Sequence, residues 1–62
     1  MDYMEKLVKN LNLNEVQEFV LYGYGECLVN DREMFGDVLE NELDRFVEDT
    51  FGIKVPSNQL GW

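Results

Sequence analysis

The chain has 62 residues, 13 acidic against 5 basic, with no histidine and a single cysteine, for a formal net charge of −8. A domain this short buries only about 60% of the surface its unfolded chain exposes, and the cysteine and histidine counts exclude an internal disulfide and a histidine-based metal site, two usual supports for so small a core. The charge disfavours DNA, RNA and anionic membranes as direct partners and favours basic protein surfaces.

The opening "MDYMEKLVKNL" predicts a short first helix. Asp2 is followed three residues later by Glu5, a spacing that can satisfy the free amides of a first turn, and Met4, Leu7, Val8 and Leu11 then share one face. A second helix start is read at Asn14, with Gln17 three residues on, and a third at Asn30, with Glu33 in the same relation. Gly52 suits the left-handed position that ends a helix, Ile53 can fold back onto the last turn, and Pro56 cannot continue it. The tail "SNQLGW" is expected to be extended and to dock through Leu60 and Trp62.

The stretch "VLYGYGECLV", residues 20–29, admits two readings. As a helix it places Val16, Phe19, Val20, Gly23 and Cys27 on the buried face, with Glu15, Glu18, Gly25 and Glu26 off it. Gly23 and Cys27 then form a small-residue groove for a close neighbour such as Phe46, Cys27 is a buried small apolar residue, and Gly25 faces outward. Two glycines inside a helix cost about 2 kcal/mol relative to alanine, so the alternative is an α+β chain with a short hairpin near residues 19–29, supported by the β-propensity of Phe, Val and Tyr. The helix is preferred because two strands alone are marginal. The fold expected is therefore all-α: one domain, residues 1–62, of three helices, a short N-terminal one and two longer ones in an antiparallel hairpin, with an extended C-terminal tail.

Charge is unevenly spread. Residues 26–49 hold Glu26, Asp31, Glu33, Asp37, Glu40, Glu42, Asp44, Glu48 and Asp49 against Arg32 and Arg45. On a third helix with Phe35, Leu39, Leu43, Phe46 and Val47 as its buried face, the acids Glu33, Asp37, Glu40, Asp44 and Glu48 collect on a separate stripe, a carboxylate every ~5–6 Å along ~22 Å. Each adjacent pair repels by about 0.2–0.5 kcal/mol, and Arg45, outside the stripe, is placed to relieve only Glu42, Glu48 or Asp49. Such a row can present to a basic groove the field of a nucleic-acid backbone, which carries one charge per ~3.4 Å per strand. Tyr22, Tyr24, Met34 and Val38 fall partly off the predicted core faces and are candidate apolar anchors or a dimer seam.

Residues 31–42, "DREMFGDVLENE", resemble an EF-hand loop in Asp31, Glu33, Gly36 and Glu42, but Phe35 and Leu39 occupy two ligand positions, so no metal site is assigned and Gly36 is read as a tolerated weakness inside the helix. Cys27 has no histidine to activate it, and the acids lie on a convex face rather than in a cleft, so no catalytic residue, enzyme activity or cofactor is expected. No signal peptide or membrane span is read, the longest apolar run being residues 19–22, and a cytoplasmic protein is expected.

In size, acidity and lack of catalytic motifs the chain resembles the small phage-encoded inhibitors, among them DNA-mimicking anti-CRISPR proteins, that occupy nucleic-acid channels of host enzymes. The resemblance is one of class and transfers no functional residue. It implies a non-catalytic inhibitor whose stripe, with Tyr22, Tyr24 or Met34 as anchors, enters the basic groove of a nucleic-acid-binding partner. The alternative is a homodimeric structural or regulatory adaptor joined through the apolar second helix, its acids only solvating.

Overall fold

The computed structural model describes residues 2–55, and these are all-α: α1 (Tyr3–Leu11), α2 (Glu15–Asn30) and α3 (Gly36–Phe46), the last running on into a π-helical segment (Val47–Phe51). Among the described residues there is no strand, and residues 19–29 are helical throughout, so the hairpin alternative does not occur. The expected docking of Leu60 and Trp62 lies outside the described residues.

Helix ends form where side chains or a left-handed residue satisfy the free backbone groups. Asp2 caps α1 by accepting from the Glu5 amide at 2.9 Å. At the other end Asn12 takes the left-handed conformation (φ 54°), the Leu13 amide returns to the Val8 carbonyl at 3.1 Å as in a Schellman ending, and Leu13 itself is buried. Asn14 and Gln17 form a reciprocal capping box on α2, with bonds of 2.8 and 3.0 Å. Gly52, at φ 70°, closes the π-helical segment with its amide on the Glu48 carbonyl, as the sequence predicts, and Ile53 packs back against the core.

The third start differs from expectation. Asn30 ends α2 rather than opening α3, because the Asp31 amide still bonds the Cys27 carbonyl at 2.9 Å. The link turns on Glu33 at φ 53°, and the Met34 amide reaches back to the Leu28 carbonyl at 3.0 Å. Gly36, at φ 65°, supplies the left-handed backbone from which α3 departs, so it is a conformational requirement and not a weakness within a helix.

The core is Leu7, Leu13, Leu21, Leu28, Leu43, Val47 and Val55. Each fully buried leucine contributes about 1.5–3 kcal/mol relative to exposure. Met4, Val8 and Leu11 of α1 pack against it, as do Leu39 and Phe46. Contacts step back along α2 as they step forward along α3, from Leu28 beside Met34 to Gly25 beside Leu43 and Tyr24 on Phe46, so the two helices are antiparallel. Phe35, expected in the core, is exposed because it precedes the helix instead of lying on its buried face.

The inward face of α2 is the reverse of the one expected. Leu21, Gly25 and Leu28 are buried, whereas Val16, Phe19, Val20, Gly23 and Cys27 are exposed. Apolar residues surround this helix, so Leu21, Tyr24, Gly25 and Leu28 form as good a helical stripe as the one expected from sequence. The close contact belongs to Gly25: a Cβ there would collide with Met4 Sδ and stand 3.6 Å from Leu43 Cδ2, while around Gly23 nothing lies within 4 Å. Glycine thus lets α1 and α3 close on α2 from the same side.

Candidate functional site

The five acids predicted to form one stripe have separate surroundings. Glu33 lies in the α2–α3 link, because α3 begins at Gly36, and is exposed. Asp37 stands exposed in the first turn of α3, where its charge suits the helix N-terminus, and Glu40 is half-buried. Asp44 is 8% exposed and accepts the Tyr3 hydroxyl at 2.6 Å. Glu48, on the π-helical segment, is exposed and accepts from the Val55 amide at 3.1 Å, tying the residues after Gly52 to the helix end. Two of the five therefore serve the fold as acceptors. Among the described residues no lysine or arginine forms an ion pair with a carboxylate, Arg45 included.

The Asp44 partnership also acts on Tyr3, whose hydroxyl pKa lies well above its ordinary value. Burial is the main cause, followed by the hydrogen bond to Asp44 and the charges of Asp44 and Glu40.

Of the apolar candidates, Tyr24 turns inward and stacks on Phe46, with ring centroids 4.1 Å apart and planes 12° from parallel, and Phe46 meets Phe51 edge to face. Met34 also packs against the core. Tyr22 is half-buried and Val38 is exposed. Cys27, read from sequence as buried, is exposed, because it lies on the outer face of α2.

Of the predicted anchors, Tyr22 lines an open groove of about 340 Å³ with three residues outside the predicted set, Glu15, Glu18 and Phe19. Burial raises the Tyr22 pKa, and the charges of Asp2, Glu5 and Glu18 raise it further, so carboxylates from the first turns of both α1 and α2 act on this ring. Phe19 is 81% exposed and Val16 71%, with Val20 beside them. The signal in the sequence is the four-residue run "EFVL" inside a helix that carries three glutamates and no lysine or arginine. Assigning Phe19 to the core hides it.

Among the described residues no three histidine, cysteine or carboxylate side chains are placed to hold a metal ion. Residues 31–42 form the helix end, the link and the first turns of α3. No helix among them is long and apolar enough to cross a membrane. No protein-family model matches the chain, and no curated protein or solved structure matches it either.

Proposed function

We propose that the protein is a non-catalytic acidic binding protein that engages the basic, nucleic-acid-binding groove of a partner protein and so inhibits it by competing with the nucleic acid. The observation that carries this reading is the state of the carboxylates: among the described residues all but Asp44 reach solvent in whole or part, and none is neutralised by an ion pair. A net charge of −8 on 62 residues gives a negative potential that speeds encounter with a basic surface and repels nucleic acid itself. Asp37, Glu40, Glu33 and Glu48 supply this field on the α3 side, and Asp2, Glu5, Glu15 and Glu18 on the α1–α2 side. The charge is spread over the molecule, so the likeness to a nucleic acid is one of overall field and not of a regular row.

Affinity capture from a cell lysate at rising salt, followed by displacement with oligonucleotide, tests the proposal. The expected partner is a nucleic-acid-binding protein that is released as salt rises and displaced by its own nucleic acid. A captured partner that is indifferent to salt and oligonucleotide overturns the reading.

A further inference from the structure

The outer face of α2 is the least accounted-for part of the surface. Val16, Phe19 and Val20 fall at i, i+3 and i+4, and the small residues Gly23 and Cys27 continue the same side. From Val16 to Cys27 this side runs for about 16 Å at the standard rise, the length of a three-turn helix. Large apolar side chains exposed in one contiguous strip mark an interaction surface more often than a solvated one. Beside the strip lies the groove of Glu15, Glu18, Phe19 and Tyr22, two carboxylates with two aromatic rings. Those are the groups that hold a cationic side chain, the carboxylates by charge-assisted hydrogen bonds and the rings by cation–π attraction.

We propose that this face docks an amphipathic helix of the partner, its apolar side on Val16, Phe19 and Val20 and a lysine or arginine in the groove between Glu15, Glu18 and Tyr22. The proposal rests on the reading of the protein as an acidic binding protein and names where on it a partner is held. Charge complementarity selects the occupant. A second copy of the chain would bring Glu15, Glu18 and Glu26 of one α2 against the same three of another, with no lysine or arginine on either helix to offset them. A basic amphipathic helix meets the same surface with opposite charge and a matching apolar ridge.

The test uses three synthetic probes: an amphipathic helical peptide of leucine and lysine, a scrambled peptide of the same composition whose leucines share no face, and an oligolysine of equal charge. Binding is followed by calorimetry near physiological salt and by amide chemical-shift mapping. The amphipathic peptide is expected to bind at least about tenfold more tightly than the other two and to shift amides along α2. Phe19→Ser and the pair Glu15→Gln with Glu18→Gln should each weaken it by about tenfold, whereas Asp49→Lys, at an exposed site remote in sequence from α2 and with the same change in net charge as the glutamine pair, leaves it within about twofold. Equal affinity for amphipathic and scrambled peptides, or no effect of Phe19→Ser, overturns the docking face while leaving the general acidic reading intact, since both peptides still bind by charge. Failure of all three probes even at low salt overturns both. A dimer in sedimentation that Phe19→Ser disperses also overturns the docking proposal and assigns the face to a second copy.

Discussion

Tyr3 of α1 donates its hydroxyl proton to Oδ1 of Asp44 in α3 at 2.6 Å, joining positions 41 residues apart. The bond explains how a carboxylate can be buried in so small a domain: the acceptor is satisfied by a donor from the opposite end of the chain. Asp44→Ala should therefore destabilise by about 1–3 kcal/mol, the range for breaking a buried hydrogen bond to a charged group. Asn41→Ala, at an exposed site within the same helix, should stay within about 0.5 kcal/mol. Urea denaturation of the two variants checks the contrast, and equal effects would mean that the Tyr3–Asp44 bond carries no stability.

Alkaline pH should act through the same pair. Tyr3, and to a lesser extent Tyr22, has a folded-state pKa above the ordinary value of about 10. Below that value the hydroxyls are protonated in both folded and unfolded chains, and the stabilisation is complete. Above it the unfolded chain ionises first, so stability falls as pH rises toward the folded-state value. Denaturation midpoints should be flat from neutrality to about pH 9 and decline beyond it. Tyr3→Phe should lower the midpoint at neutral pH and flatten the alkaline decline, and a decline of unchanged steepness in Tyr3→Phe would assign it elsewhere.

The glycines of α2 should respond in opposite ways. Gly23→Ala adds a methyl group into open space within a helix and should stabilise by about 0.5–1 kcal/mol. Gly25→Leu must displace Met4 and press on Leu43, and should destabilise by about 1–3 kcal/mol. Thermal melts of the two proteins decide the matter, since stabilisation by Gly25→Leu would place the helix-crossing contact elsewhere.

Gly36 and Gly52 have room for a side chain but not the backbone for one. At φ 65° and 70°, each should cost about 1–2 kcal/mol on replacement by alanine, although a Cβ at either position would meet nothing within 4 Å. For a domain of this size that corresponds to a fall of roughly 4–16 °C in melting temperature. Unchanged melting of Gly36→Ala would show that α3 can start without a left-handed residue.

What the sequence determined by itself was local. Asp2, the Asn14–Gln17 pair and Gly52 end helices through bonds within three or four residues, so the spacing of residue types suffices to find them. The inward face of α1 was equally legible, because Met4, Leu7, Val8 and Leu11 stand against polar residues on its other side. Three features were settled only by the tertiary structure. On α2 apolar side chains occur all round, and the contacts with Met4 and Leu43 made Gly25 inward and left Phe19 outside. The start of α3 moved from Asn30 to Gly36 because α2 kept its hydrogen bonds to the end of "CLVN" and the link then needed left-handed residues. The acidic row was divided because Tyr3, remote in sequence, brought to Asp44 a donor that no helical periodicity could reveal. A carboxylate's role follows from the partner that reaches it, and that partner is fixed by how the helices pack.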